Sequence, residues 1–393
     1  MSGERLIYFD NAATTRVRDE VLDEMLPYFS SVYCNPSAVY GFASKGKIAV
    51  DNARKYAADL IGAKQSEIYF TSGGTESDNW AIKAAAESLS EKGRHIITSA
   101  TEHHAVLNAC EYLERRGFSV TYLDADEDGK LSPEKLENAI RKDTVLISVM
   151  TANNEIGTLQ PVARIGKIAR ENNILFHTDA VQAYGHIPIN VDEMNIDMLS
   201  ASAHKINGPK GAGILYIRNG VKLRSFMHGG AQERGRRAGT LNVPGIVGMG
   251  KAAQLAAGDM QKNSRREAQL RDYFIERVLN EIPFTSLNGH KTDRLPNNAN
   301  ISFGFTNNET VLILLDREGI CASAGAACAS GATQVSHVLS AIGLSNEAAL
   351  SSLRFTFSYE NTFEEIDFAV SRLKTIIAGL RENSEEYKKL AGN

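Results

Sequence analysis

The stretch SEIYFTSGGTESDNWAIKAAAESLSEKG, residues 66–93, decides how the chain is read. It opens as a short apolar and aromatic run, passes through two glycines and a threonine, and continues as a segment of helical length. Strand, tight turn and helix in that order form the start of a parallel crossover. At the turn, Gly73 and Gly74 let the backbone approach an anion, and Thr75 adds a hydroxyl at the helix N-terminus. Taken alone the turn is a weak signal, because many strand-to-helix turns are rich in Gly and Thr.

The same pattern repeats outward from it. HIITSA (95–100), FSVTYLD (118–124), VLISVM (145–150), ILFHTD (174–179), DMLSAS (197–202) and GAGILYI (211–217) all read as strands. Helix-length segments such as PVARIGKIARENN (161–173) lie between several of them. This predicts an α/β fold with a large, doubly wound, mostly parallel sheet of the seven-stranded type. After about residue 260 the pattern changes to a charged helix over 259–282, strands in NANISFGF and SSLRFTFS, and a closing helix. Thr362 and Glu365 form a capping box for that last helix, whose apolar stripe is Ile366, Val370, Leu373, Ile377 and Leu380. The expected division is a large domain over 15–258 and a smaller α+β domain from 1–14 plus 259–393, with a solvated, frayed tail from Arg381.

Composition narrows the function classes. The 393 residues are 43% hydrophobic and 23% charged, with a net charge of -4, which offers no basic surface for nucleic acid. No apolar run reaches the length of a membrane span, and the N-terminal stretch has no signal-like apolar core, so a cytoplasmic protein is expected. Cys34, Cys110, Cys321 and Cys328 form no CxxC pair, so neither a zinc site nor a disulfide framework is expected.

Three near-motifs fail. GFASKGKI (41–48) has Ile48 where a nucleotide P-loop needs Ser or Thr. DADEDGKLSPEK (124–135) ends on Lys135 where a calcium loop needs Glu, and reads as an acidic turn between strand and helix. His103 and His104 are adjacent, and adjacent side chains diverge, so shared metal ligation is not expected.

In a doubly wound sheet the ligand sits beyond the carboxyl ends of the strands. In chain order those ends carry Gly74 and Thr75, then His103, then Asn154, then Asp179 and Gln182, then Ser202, His204 and Lys205. Pyridoxal 5'-phosphate accounts for the whole set. Its phosphate needs a glycine and hydroxyl cradle, its aldehyde an amine, its ring nitrogen a carboxylate, and its ring face an imidazole or aromatic platform.

At this point the chain resembles a known family. YFDNAATT, NPSAVYGFASKG, TSGGTESDN, TEHHAVL, NNEIG, HTDAVQ, SAHKINGPKG, HGGAQERGRRAGTLN and SSLRF resemble the class V aminotransferase-type, fold-type I pyridoxal enzymes, and among them the NifS/IscS-like cysteine desulfurases. The resemblance implies that Lys205 holds the cofactor covalently, His103 stacks on its ring, Asp179 pairs with its nitrogen and Gln182 with its phenolic oxygen. It implies a phosphate held by Gly74, Thr75, Ser202 and His204, with Thr240 reaching the phosphate of the partner subunit in a homodimer. Asn154 and Arg354 would bind the carboxylate of L-cysteine. Cys328, in the small-residue run CASAGAACASG, would be the catalytic thiol that takes sulfur as a persulfide. The acceptor of that sulfur, an iron–sulfur scaffold or a tRNA-thiolation protein, stays open, as does a selenocysteine lyase or another class V pyridoxal enzyme as the alternative reading. The other three cysteines read as packed thiols.

Overall fold

The structure is a computed structural model and describes residues 6–324 and 335–391. The chain enters as a two-residue strand, β1 (Ile7–Tyr8). It then builds the large sheet from β2 (Ile68–Thr71), β3 (His95–Ser99), β4 (Ser119–Leu123), β5 (Thr144–Ser148), β6 (Leu175–Asp179), β7 (Met198–Ser202) and β8 (Gly213–Ile217). The order across the sheet is β2-β8-β7-β6-β5-β3-β4. β3, β4, β5, β6 and β7 run parallel, while β8 lies antiparallel between β2 and β7. Each expected strand of this region is present, and the sheet is mostly parallel and covered on both faces.

Side-chain alternation shows the two faces directly. Ile97, Ile147 and Ile214 belong to one buried cluster, whereas their neighbours Ile96, Leu146 and Leu215 belong to another on the opposite face. One cluster packs under helices Gly41–Asp59 and Val162–Glu171, the other under Gly74–Ser88 and His104–Glu114. The near P-loop lies at the start of helix Gly41–Asp59. The acidic stretch is a turn in which Asp126 Oδ1 accepts from the N–H groups of Asp128 and Lys130, followed by helix Pro133–Asn138.

The smaller sheet holds β9 (Thr285–Asn288), β10 (Asn298–Phe303) and β12 (Ser352–Thr356), antiparallel in the order β12-β10-β9; β11 (Ile320–Cys321) pairs in parallel with β1. Its core joins Phe9 to Phe274, Phe355, Phe357 and the buried face Ile366, Val370, Leu373 and Ile377 of helix Phe363–Arg381. Both hydrogen bonds of the Thr362–Glu365 capping box are made.

Two differences from the sequence reading have clear causes. The charged helix begins at Val243 and runs unbroken to Glu281, because Asn242 caps it and Pro244 sits in its first turn, while Gly245, Gly248 and Gly250 hide the periodicity. Gly250 is required there, since a Cβ would lie 2.3 Å from the Ala53 Cα of the neighbouring helix. The tail is tied down at its start: Arg381 is buried and donates to the Gly304 carbonyl, and Tyr387 packs against Phe284 and Phe305 from a further helix, Glu385–Ala391.

Candidate active site

A cavity of about 300 Å³ opens beyond the carboxyl ends of β3, β5, β6 and β7. Gly74, Thr75, His103, Asn154, Asp179, Gln182, Ser202, His204, Lys205 and Arg354 all line it. Thr240 does not, and lies exposed on the turn before helix Val243–Glu281. Cys328 lies outside the described residues.

Lys205 sits on the short turn that follows β7. Its Nζ donates to the carbonyl oxygens of Ala12 (2.5 Å) and Ala13 (2.8 Å). The Gln182 amide donates to the same Ala12 oxygen, and Thr15 accepts and gives the bonds that close the loop on His204 and Asn207. The DNAATT segment is thus folded across the lysine.

The turn after β2 is built for close approach. Gly73 takes φ 153° at the N-cap of helix Gly74–Ser88, and a Cβ on Gly74 would lie 2.6 Å from Val181 Cγ2. The Ser202 hydroxyl faces the same turn, 3.6 Å from where a Gly73 Cβ would be. Uncapped N–H groups, a hydroxyl and a helix N-terminus together favour a phosphate. His204 Nδ1 is 3.2 Å from Thr14 Oγ1, and burial, Lys205 and Lys210 draw the imidazole down to about 4, so it is neutral at neutral pH.

Asp179 ends β6, buried, with Oδ1 accepting from the Val181 N–H at 2.9 Å. Ligand atoms of Asp179, Asp78 and His103 lie within 4.8 Å of one another. Burial raises the Asp179 carboxyl, while His103, the Val181 N–H and Lys205 oppose the rise. Burial and then the Asp179 charge push Asp78 well above the ordinary Asp value. Two carboxyl groups this close cannot both ionise, so Asp179, with more favourable partners, carries the charge and Asp78 the proton. His103 caps its helix through Nδ1, which accepts from the Ala105 N–H at 3.1 Å and so leaves Nε2 as the ring nitrogen free to donate.

Arg354, on β12 of the small sheet, crosses to the large one. Its guanidinium donates to the Asn154 carbonyl and to Asp10 Oδ1, both at 2.9 Å. Asn153 shapes the Asn154 turn by accepting from the N–H groups of Glu155 and Ile156.

The class V aminotransferase family matches residues 7–368. A cysteine desulfurase IscS of Methanosarcina thermophila is 54% identical over 390 residues, 98% of this chain and 96% of its own. Another from Dictyoglomus turgidum (strain DSM 6724 / Z-1310) is 51% identical, covering 98% of each chain. A solved NifS-like protein superimposes with a TM-score of 0.90 at 38% identity, over 95% of this chain and all (100%) of that one. The structure of SspA in complex with cysteine matches at TM-score 0.81 and 41% identity, over 91% of this chain and 100% of its own.

The chain belongs to the cysteine desulfurases of the class V aminotransferase family.

These desulfurases are pyridoxal 5'-phosphate enzymes of fold type I. The residues present fit that group. The Gly73–Gly74 turn leaves room that any Cβ would fill, and Asp78 Oδ1 is a buried oxygen without a hydrogen bond beside Asp179. The cavity volume is at the small end of ligand sites.

Several residues in and around the desulfurase site were assigned no role by the sequence, although most lie inside the motifs quoted above. Asp78 and Glu102 are fully buried carboxyl groups; burial holds Glu102 well above the ordinary Glu value, and its Oε1 accepts from the Met150 N–H. His177, within β6, bridges Ser148 Oγ and Ser200 Oγ and is driven down to about 3 by burial, so it is a neutral strut. His104 packs on His337 at 4.7 Å between ring centroids, both at the cavity wall. The available signal was a polar side chain inside an apolar strand or on the buried face of a helix. Of the three remaining cysteines, Cys34 and Cys110 are buried, with Cys110 pushed up to about 12 by burial, and Cys321 is half-buried.

Proposed function

We propose that this desulfurase converts L-cysteine into L-alanine and takes the sulfur onto Cys328 as a persulfide. From there the sulfur passes to an acceptor protein of iron–sulfur cluster or thio-cofactor and tRNA synthesis. We further propose that it acts as a cytoplasmic homodimer, in which the large body of 15–258 binds the cofactor and the small body of 1–14 and 259–393 carries the thiol.

One observation carries the reading: an amine, a carboxylate and a guanidinium from separate elements converge on one cavity, and the described residues on either side of the Cys328 stretch bond to residues that line it. Ser323 exchanges both backbone hydrogen bonds with Arg354, and the Ser336 hydroxyl donates to Glu155 Oε2. Cys328 is five residues beyond Ser323.

Bound at this site, the cofactor supplies an electron sink for the pair left at the substrate α-carbon. Lys205 moves the α-proton, its amine aimed by the Ala12 and Ala13 carbonyls. With the cofactor in place, Asp179 would keep its ring nitrogen protonated, with Asp78 as the neutral neighbour. His103 would stack on the ring, and Gln182 would reach its phenolic oxygen. Gly74, Thr75, Ser202 and His204 would hold the phosphate. Arg354 and Asn154 bind the substrate carboxylate. The Cys328 thiolate attacks the substrate sulfur; the carbon–sulfur bond breaks, its electron pair stays on carbon, and protonation yields alanine.

The homodimer is supported by a strip of exposed apolar side chains, Leu26, Phe29, Tyr33, Val39 and Ile48, on one continuous segment of the large body. Thr240 is exposed as a residue serving a partner's phosphate must be.

The test measures alanine and sulfide together from L-cysteine and a reductant. The wild type should release both equally. Lys205→Ala should release neither, and Cys328→Ala should keep its cofactor and lose sulfide. Near-normal turnover in Lys205→Ala would overturn the assignment.

A further inference from the structure

The backbone of Lys205 is held from behind. Gly185 turns the chain with φ +81°, and a Cβ there would lie 2.8 Å from Ile206 Cγ2 and 3.2 Å from Ala256 Cβ. That close approach sets His186 against the lysine. His186 Nε2 lies 3.0 Å from the Lys205 carbonyl oxygen. A carbonyl can only accept, so Nε2 carries a proton. On the other edge of the ring, Nδ1 lies 3.7 Å from Glu267 Oε2. Glu267 is 4% exposed, and Oε2 makes no hydrogen bond of its own. Ser264, one helical turn earlier, donates to the His186 carbonyl at 2.5 Å. Both Ser264 and Glu267 belong to helix Val243–Glu281, which packs on the large sheet with its first half and on the small sheet's core with its second.

We propose that His186 is a positioning residue for the catalytic lysine: its imidazole grips the Lys205 carbonyl on one side and the Glu267 carboxylate on the other, tying the lysine's backbone to the helix shared by both bodies.

The surroundings leave that role to this pair. A cavity of about 30 Å³, room for a single water, separates the ring from its neighbours and is also lined by Arg18 and Tyr359. Arg18 is already committed to Glu20 at 2.8 Å and Asp259 at 2.9 Å, and its guanidinium lies 5.7 Å from the Tyr359 ring. The Lys205 ammonium points the other way, to Ala12 and Ala13. Among the described residues lining this cavity, the carboxylate is Glu267. An imidazolium would satisfy both the carbonyl and this buried carboxylate, whereas a neutral ring would leave the carboxylate desolvated and unpaired.

The protonation follows the geometry. Burial draws His186 down, but Glu267 and the Lys205 carbonyl outweigh it, and the net shift is upward. A histidine whose pKa is raised by folding gives stability that is complete below its unfolded value and is lost as the pH rises through the folded one. The grip on Lys205 is therefore firm on the acid side of that transition and weakens on the alkaline side.

The inference rests on Lys205 being the catalytic amine. The test uses the holoenzyme as wild type, His186→Gln and Glu267→Gln. It follows kcat and KM for alanine formation, and the pH at which the bound cofactor's absorption band titrates. Gln can still reach the Lys205 carbonyl but cannot bind a proton. Both variants should lose about threefold to tenfold in kcat, the equivalent of one charge-assisted hydrogen bond weakened to a neutral one, with KM unchanged. Both should also shift the spectral titration; His186→Gln should lack the wild type's alkaline-side decline in kcat, and Glu267→Gln, whose ring still titrates without its raising partner, should show the decline at lower pH. Variants that keep the wild-type kcat and spectral titration would overturn the proposal. So would variants whose losses follow only a lowered melting temperature, because that marks a merely structural pair. A wild type that makes no alanine would instead sink the desulfurase reading, and the spectral titration would still report on His186.

Discussion

Arg354 Nη2 lies 2.9 Å from Asp10 Oδ1; Arg354 lines the cavity from the small sheet, and Asp10 is bridged to Thr356 of the same strand, β12. The pair is almost fully desolvated on the arginine side, at 3% side-chain exposure. It therefore fixes the plane of the guanidinium before any substrate arrives.

The geometry predicts that Arg354→Lys keeps the charge and loses the fork. A point charge cannot serve Asp10, the Asn154 carbonyl and a substrate carboxylate at once. The kcat/KM for L-cysteine should fall by about a hundredfold, or ~2.7 kcal/mol, most of it in KM. Steady-state alanine formation checks this, and an unchanged KM would remove Arg354 from the substrate site.

The two neighbouring carboxyl groups should behave oppositely. Asp179→Asn removes the charge proposed to face the ring nitrogen and should lower kcat by about a thousandfold, on the scale of one lost electrostatic stabiliser. Asp78→Asn swaps one neutral group for another and should leave kcat within about threefold. The carboxyl of Asp78 is raised on folding, so its contribution to stability is complete at low pH and is lost as the pH rises through its folded value. Asp78→Asn should consequently flatten the fall in melting temperature toward alkaline pH. A steeper fall would show that Asp78 is the ionised member.

The phosphate turn gives a steric test. Gly74→Ala places a methyl 2.6 Å from Val181 Cγ2, and the β-branched valine cannot rotate away freely. Cofactor affinity should drop by about tenfold, with a stability loss of about 1–3 kcal/mol. Adding Val181→Ala should restore most of both. Titration of the apo-protein with cofactor and a thermal melt report the two quantities; no rescue by the second change would show that the glycine is needed for its backbone alone.

A buried ion pair holds the segment that leads to Thr240. Arg54 meets Glu233 through two hydrogen bonds, at 2.8 and 2.7 Å, and Glu233 Oε2 also accepts from the Phe70 N–H. Glu233 holds φ 44°, a left-handed conformation paid for by these contacts. Glu233→Ala leaves Arg54 buried without a counter-charge and should cost about 3–5 kcal/mol in denaturant unfolding. A loss below about 1 kcal/mol would place the pair among the weak surface bridges.

Most of the large sheet and many of the residues that line the cavity were legible from the chain alone, for a local reason. An apolar strand followed by a polar turn and a helix declares itself within a short window, and the fold rule then says which end of the strand faces the ligand. Lys205, Asp179 and His103 each follow or end such a strand. The edge strand β9 was missed because its four residues have no alternation to read and follow Phe284 at φ 54°. The first half of helix Val243–Glu281 was missed because its glycines are packing contacts, which appear only when the neighbouring helix is in place.

The sequence by itself determined the order of the elements, the class of cofactor and the set of side chains offered to it, because these depend on residue type and near neighbours. Tertiary structure alone decided how those side chains are held. Ala12 and Ala13 aim Lys205 across a gap of about 190 residues, Asp10 orients Arg354 from the opposite end of the chain, and His186 meets Glu267 only where a turn and a distant helix touch. Backbone carbonyls have no signature in sequence, and a buried charge is legible only once its partner is in place.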